Sequence, residues 1–120
     1  MSLVRFEIEL HPKASKEYKK LDGSVKQIVN KAIKQLEVRA DEVGKELENK
    51  QHTKLYGCKE VKIKGIGIRI VFRIVGDKAE IVQIISIGKR DDNEVFQDAH
   101  KRLQEMTKQQ KDFQKFKGSK

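Results

Sequence analysis

The sequence predicts an α+β fold with elements in the order βααβββα. Three observations support this prediction. The run from Val4 to Leu10 alternates strictly between apolar and polar residues, which is typical of a half-buried strand. Helical spacing of apolar residues follows up to residue 43, and alternation returns between residues 59 and 89. A chain of 120 residues has the usual length of one domain, so these elements are expected to share one core.

Two helices are predicted to form a hairpin after the first strand. The first spans Lys13 to Leu21, and Asp22-Gly23 is a dipeptide typical of a turn. Ser24 is then the predicted N-cap of the second helix. Apolar residues at i, i+3 and i+4 spacing continue from Val25 to Val43, and Gly44 is predicted to end the helix.

Three strands are predicted to follow as a meander. Residues 45 to 57 are mostly polar and are interpreted as a loop. Lys59 to Lys64 is predicted to pair with Ile68 to Val75 across Gly65-Ile66-Gly67, and a turn at residues 76 to 78 leads to the strand Ala79 to Lys89. The opening strand is expected to join this curved, mainly antiparallel sheet, and the helical hairpin is expected to cover one face.

The end of the chain is predicted to form one more helix and a basic tail. The helix follows Asp91-Asp92-Asn93, which can cap a helix start, and carries apolar residues up to Met106. Residues 108 to 120 contain five lysines and one acid, so we expect a frayed tail. The predicted organisation is one domain over residues 1–107 and a tail over 108–120.

Alternation along the strands assigns the side chains to two faces of the sheet. One set is predicted to face the helical hairpin: Val61, Ile63, Ile68, Ile70, Phe72, Ile74, Ile85 and Ile87. The opposite face receives most of the cations: Lys62, Lys64, Arg69, Arg73 and Arg90, together with Ser86. Val71, Val82 and Ile84 are also expected there, as an apolar strip that the last helix or a partner must cover.

The charge composition favours an anionic partner. The chain has 27 Lys and Arg against 18 Asp and Glu, a formal net charge of +9, which favours nucleic acid first, an acidic protein second and anionic lipid third. Like charges opposite each other on paired strands repel, so a sheet face with positive charge alone is expected to bind an anion. One cysteine excludes an internal disulfide and a cysteine-rich zinc site. We expect a cytoplasmic protein without cofactor, metal or membrane span.

Several stretches resemble the RelE/ParE superfamily of bacterial toxins: "KEYKKLD", "KLYG", "CKEVKIK" and "GIRIVFRIVGDKAEIVQIISIGKRDDNEVF". The resemblance covers the chain from Arg5 to about Leu103 and implies a toxin that pairs with a cognate antitoxin. RelE-type members cut messenger RNA in the ribosomal A site. ParE-type members poison DNA gyrase and lack the basic catalytic set. A RelE-like mRNA interferase is therefore the first hypothesis, and a gyrase inhibitor or an inactive RNA- or antitoxin-binding module is the alternative.

The resemblance implies a catalytic set on the cationic face: Lys62, Lys64, Arg69 and Arg90. Where the family has a tyrosine this chain has Phe96, which keeps an aromatic face for stacking but has no hydroxyl. His100, four residues later on the same helical face, is a candidate acid or base. Each of these residues also has a purely structural interpretation. The alternative for the two lysines is a solvated strand face, and the alternative for the two arginines is an ion pair with Glu60, Glu80 or Asp91. The alternative for Phe96 is a place in the core, and for His100 it is an exposed position on the helix.

The chemistry expected of this set needs no metal, because RNA supplies its own 2′-hydroxyl nucleophile. Lys64 is the favoured base, since crowded cations disfavour the charged form of a lysine. Arg69 would hold the scissile phosphate, and Arg90 would be a second clamp and a donor toward the leaving oxygen. Lys54, Arg73 and Lys89 are expected to bind RNA. The implied partners are the ribosome, messenger RNA and the antitoxin. The chain is expected to form a homodimer or a heterotetramer with the antitoxin.

Overall fold

The computed structural model describes residues 5–46, 58–63, 65–89, 99, 101–103 and 113–116. Residues 99 and 101–103 are helical and are called the C-terminal helical segment below. The other elements, in chain order, are β1 Glu7–Leu10, α1 Pro12–Lys19, α2 Gly23–Arg39, β2 Lys45–Glu46, β3 Cys58–Ile63, β4 Ile68–Val75, β5 Ile81–Lys89 and β6 Gln114–Lys115. The predicted α+β class and the predicted order of its main elements are confirmed, with two short strands added.

In the described part of the chain, the strands form one sheet of six strands in the order β2-β3-β4-β5-β1-β6. β3, β4 and β5 are the predicted antiparallel meander. β1 joins this meander parallel to β5, with Glu7 opposite Ile81 and Leu10 opposite Ile84. Within the described ranges, no helix is long and apolar enough to cross a bilayer.

The N-cap of α2 differs from the prediction. The Asp22 side chain accepts a hydrogen bond from the backbone N–H of Val25 at 3.0 Å, so Asp22 is the N-cap. The predicted cap, Ser24, lies inside the first turn and donates its hydroxyl to Asp22 at 3.0 Å. Asp22 occupies the cap because its carboxylate reaches an N–H that has no partner within the helix.

The helix α2 also ends earlier than predicted, at Arg39 rather than at Gly44. Ala40 and Val43 still pack in the core, which explains why apolar spacing continues past the end of the helix. Gly44 has a φ of +85°, and a Cβ there would lie 2.9 Å from the Glu60 carbonyl oxygen and 3.3 Å from the Phe72 ring. A glycine is therefore required because the Glu60 carbonyl and the Phe72 ring approach the backbone closely here, and it does not serve to end the helix.

The main core lies between the helical hairpin and one face of the sheet. Its buried members come from α1, α2, three strands and the residues that flank β1 and α2: Phe6, Ile8, Leu10, Ala14, Val29, Ile33, Leu36, Ala40, Ile68, Ile70, Phe72, Val82, Ile84 and Ile87. The predicted packing of the hairpin on one sheet face is therefore confirmed for most of the expected residues.

A second apolar layer covers the opposite face of the sheet. Cys58, Val71 and Ile85 pack there against Ala99 and Leu103 of the C-terminal helical segment. All five side chains are at most 5% exposed. The expectation that the last helix covers an apolar strip is confirmed for Val71, but the other members of the strip differ.

A β-bulge explains the difference. Val71 pairs with Ser86 and Phe72 pairs with Ile84, so Ile85 is an extra residue in β5. The extra residue reverses the alternation between its two sides. Val82 and Ile84 therefore face the hairpin and Ile85 faces the second layer, and the predictions for these three residues were wrong.

Residues 113–116, which are the described part of the predicted tail, differ from the prediction of a frayed tail. β6 pairs antiparallel with β1, and the Phe116 N–H donates to the Ile8 carbonyl at 2.9 Å. The Phe116 ring lies edge-on to Tyr18 at 5.4 Å between centroids. Aromatic burial therefore holds residues 113–116 on the sheet despite the neighbouring lysines. The division of the chain at residue 107 stays a prediction.

A partly buried ion pair joins the C-terminal helical segment to α1 and β5. The Arg102 guanidinium, 7% exposed, donates to both carboxylate oxygens of Glu17, at 2.9 and 2.7 Å. Arg102 also donates to the Ile85 carbonyl at 2.9 Å, and Glu17 accepts from the Ile87 N–H at 3.0 Å. The pairing of β5 with β1 ends at Ile84. Beyond that point, Arg102 and Glu17 satisfy the Ile85 carbonyl and the Ile87 N–H, which would otherwise lack these partners.

Arg102→Ala is expected to lower the free energy of unfolding by about 2 to 3 kcal/mol, because it leaves the Glu17 carboxylate and the Ile85 carbonyl without this donor. Urea unfolding followed by circular dichroism measures the change. Arg39→Ala is the matched control, since Arg39 pairs with Glu42 at the surface and its loss should cost at most about 0.5 kcal/mol. Equal unfolding midpoints for Arg102→Ala and the wild type would contradict the assignment.

Cys58 is expected to resist thiol reagents in the folded protein. Its side chain is 1% exposed, and burial raises the pKa of the thiol to about 11 although the nearby Arg73 charge acts in the opposite direction. At pH 8 reaction with Ellman's reagent should therefore be slow in buffer and fast in urea. Arg102→Ala should accelerate it by loosening the second layer. Rapid labelling of the native wild type would show that this layer is open.

Candidate functional site

The candidate site lies on the face of the sheet opposite the helical hairpin, called the second face below. It is located where β3 and β4 approach their connecting turn. Lys62 on β3 and Arg69 on β4 are direct cross-strand partners. Two of the four predicted catalytic cations are therefore adjacent. Their proximity follows from the register of the β3–β4 hairpin, a hairpin that was predicted from the glycines between its strands.

A buried carboxylate lies between these two cations. The Glu60 side chain is 5% exposed, and its Oε2 accepts a hydrogen bond from Arg69 Nη1 at 3.2 Å. Its Oε1 lies 3.8 Å from Lys62 Nζ. Lys62 remains 42% exposed and Arg69 17% exposed, so the outer surface of the cluster is cationic and its base is acidic.

Glu60 changes the electrostatic interpretation of this face. The expectation that the face carries positive charge alone is wrong, because Glu60 alternates in step with Cys58 and Lys62 and lies on the same side. Repulsion between Lys62 and Arg69 is offset by the carboxylate. The sequence offered this residue only as a surface ion-pair partner of Arg69. The pairing is present, but the carboxylate is buried.

Arg73 belongs to a separate polar chain on the same face. It lies four residues from Arg69 along β4, roughly 13 Å at the usual rise of a strand. Its Nε donates to Gln83 Oε1 at 2.9 Å, and Gln83 Nε2 donates to Glu9 Oε1 at 3.1 Å. Burial lowers the pKa of Arg73, but a guanidinium stays charged at neutral pH. Arg73 is therefore near the candidate site but not part of the Glu60 cluster.

The remaining predicted site residues lie outside the described residues: Lys54, Lys64, Arg90, Phe96 and His100. The backbone of Lys89 is described, opposite Ile68 at the end of β5, but its side chain is not. Among the described residues there is no group of three or more side chains suited to bind a metal ion. The roles of these six residues stay predictions.

Sequence reasoning missed the burial of Glu60 and the roles of Glu17 and Arg102. The alternation of β3 was a signal for the side to which Glu60 points. No local pattern marks Glu17 and Arg102, which lie on a helix and in the C-terminal helical segment and meet only in the folded chain.

Comparisons with known proteins agree with this architecture. The model of a family described as "ParE toxin of type II toxin-antitoxin system, parDE" matches residues 8–94. The mRNA interferase toxin RelE of Escherichia coli strain K12 is 29% identical over 97 residues, which cover 80% of this chain and 95% of that protein.

Solved structures of E. coli toxin RelE have a similar fold. A double mutant in the free state superposes with a TM-score of 0.61 and 25% identity, covering 82% of this chain and 97% of that one. The same mutant in complex with an antitoxin RelBc peptide gives a TM-score of 0.54 and 28% identity, covering 79% and 94%.

The two kinds of match carry the names of the two branches that the sequence resembles. The matching family is named for ParE, whereas the curated relative and the solved structures are named for RelE. The chain belongs to the ParE toxin family of type II toxin–antitoxin systems, within the RelE/ParE superfamily.

Proposed function

We propose that this toxin is a ribosome-dependent mRNA endonuclease that cleaves without a metal ion. The adjacency of Lys62 and Arg69 on paired strands carries the proposal, because it gives a cationic surface suited to one phosphodiester. The name of the E. coli relative, an mRNA interferase, supports the same activity at 29% identity.

The proposed reaction uses the 2′-hydroxyl of the RNA as nucleophile. Arg69 donates to the scissile phosphate and stabilises the charge that develops on it, with Lys62 beside it. Lys64 removes the 2′-hydroxyl proton, and Arg90 is a second clamp and a donor toward the leaving 5′-oxygen. Phe96 stacks on a base, and His100 is a further candidate acid or base.

Binding to the ribosome is proposed to use cations outside this set. Arg73, Lys54 and Lys89, with the lysines of the C-terminal residues, would contact ribosomal RNA phosphates. Each neutralised phosphate releases counterions, so the affinity should fall steeply as salt is added. A cytoplasmic location follows from this role.

A cognate antitoxin is the proposed protein partner, as in the E. coli RelE complex with an antitoxin peptide. The expected apolar docking strip must be revised, because Val82 and Ile84 lie in the main core. Val71 and Ile85 lie under the C-terminal helical segment. An amphipathic antitoxin helix would therefore reach this strip only by displacing that segment. A homodimer and a heterotetramer with the antitoxin are both compatible with this proposal.

Inhibition of DNA gyrase is the second candidate function. The family whose model matches residues 8–94 is named for ParE, and the sequence resemblance links that branch to gyrase. The contact of Glu60 with Lys62 and Arg69 also favours gyrase inhibition over cleavage, since the carboxylate already partly neutralises these two cations inside the fold. An inactive antitoxin- or RNA-binding module is the remaining alternative.

Arg69→Ala tests the first candidate. Messenger cleavage on translating ribosomes, mapped by primer extension, should fall about 100-fold, since a lost transition-state contact costs roughly 3 kcal/mol. Growth arrest on expression should disappear. Arg5→Ala removes the same charge from the exposed pair with Asp41, which is 2.9 Å long, and should leave both readouts unchanged.

The opposite outcome is equally informative. Persistent arrest by a folded Arg69→Ala variant, with inhibition of gyrase supercoiling by the purified wild type, would replace the nuclease with the second candidate. Absence of cleavage, arrest and gyrase inhibition in the wild type would leave the inactive module.

A further inference from the structure

Glu60 is a buried carboxylate that the proposed reaction does not use. Its side chain is 5% exposed, and each of its oxygens lies against one cation of the candidate site. It projects from the middle of β3, and its backbone is opposite Val71. An explanation is needed for a charge at this position, because burying a carboxylate is costly even when it is paired.

Stability alone explains Glu60 poorly. Replacing a buried ion pair by apolar residues of similar volume is often neutral or stabilising. The neighbouring position on this face, Cys58, shows that β3 accepts a small apolar side chain here. The carboxylate therefore indicates a role in arranging the cations that it contacts.

The contact with Arg69 restricts the guanidinium directly. Arginine has a long side chain with many rotamers, and its planar fork binds a phosphate well only in a defined orientation. A hydrogen bond at 3.2 Å from Nη1 to Glu60 Oε2 fixes one end of that fork. The Arg69 side chain is 17% exposed, so the fork lies at the boundary between the buried carboxylate and solvent.

We propose that Glu60 is a positioning residue that holds the Arg69 guanidinium in the orientation needed to bind the scissile phosphate, and this rests on the proposed nuclease function. Ordering Arg69 before RNA binds removes a cost that would otherwise be met during catalysis. Glu60 itself does not contact RNA in this role.

Competition between the carboxylate and the phosphate is the opposite possibility. It would require Arg69 to leave Glu60 when RNA binds. The carboxylate would then remain buried with Lys62 alone, at 3.8 Å, and such a displaced charge is strongly unfavourable. The geometry therefore favours simultaneous contact of Arg69 with Glu60 and with the phosphate.

Single-turnover cleavage on programmed ribosomes tests the proposal with two variants. Glu60→Ala should lower the cleavage rate constant about 10- to 100-fold, as loss of an orienting partner commonly does, with little change in the toxin concentration for half-saturation. Glu60→Gln keeps an acceptor oxygen and the side-chain volume, so it should recover part of the rate. Glu9→Gln, on the same face but bonded to Gln83, is the matched control and should behave as wild type.

A spectroscopic readout separates positioning from a structural role. The side-chain ¹⁵N signals of Arg69, assigned by their loss in Arg69→Lys, should be sharp in the wild type and broadened in Glu60→Ala by faster reorientation. Glu60→Gln should be intermediate. If Glu60→Ala fails to fold, the Glu60→Gln variant decides with the same two readouts.

The outcomes distinguish this proposal from the proposed function. A wild type that cleaves, with Glu60→Gln and Glu60→Ala at the wild-type rate or above it, overturns the positioning role; a higher rate identifies Glu60 as a competitor of the phosphate. A wild type as inactive as Arg69→Ala overturns the nuclease function instead. In that case an unchanged Arg69 signal in Glu60→Ala would also reject the positioning role.

Discussion

The bulge at Ile85 is the constraint on which both layers of the molecule depend. The extra residue shifts the alternation of β5 by one position. Val82, Ile84 and Ile87 therefore all point into the core under the helices, and Ile85 points into the opposite layer. The Ile85 carbonyl is also bonded by Arg102, which ties the C-terminal helical segment to the same point of the strand. One inserted residue thus allows a single sheet to carry apolar cover on both sides.

The sequence predicted the structure well where the apolar residues followed a single alternation along a strand. It predicted the structure poorly where apolar residues occupied both sets of alternate positions. Alternation and glycine turns predicted the β3–β4 hairpin and placed Lys62 and Arg69 on one face of it, but the register that makes them direct partners came from the structure. In "IVQIISIG", residues 81–88, apolar side chains occupy positions of both parities, so no pattern reveals a bulge. Burial of Glu60 depends on its tertiary surroundings and not on β3 alone. In the C-terminal residues, lysines obscured the anchoring role of Phe116.

The acidic side chains of the second face explain how a strongly basic chain avoids repulsion within its own sheet. Glu60 and Glu9 accept hydrogen bonds there from Arg69 and Gln83, and Glu17 on α1 pairs with Arg102 of the C-terminal helical segment. Part of the formal net charge of +9 lies elsewhere, on exposed lysines of the helical hairpin such as Lys31 and Lys34. Attraction of a polyanion and recognition of one phosphate are thus expected to involve different parts of the surface.

The parallel pairing of β1 with β5 has a consequence for synthesis of the chain. Glu7 meets Ile81, so β1 leaves the ribosome long before its central partner exists. At 5 to 20 residues per second the delay is roughly 4 to 15 seconds. During that interval α1 and α2 emerge first and can shield Ile8 and Leu10, and β3 and β4 follow before β5. The β1–α1–α2 segment and the β3–β4 hairpin are therefore synthesised before the strand that joins them into one sheet.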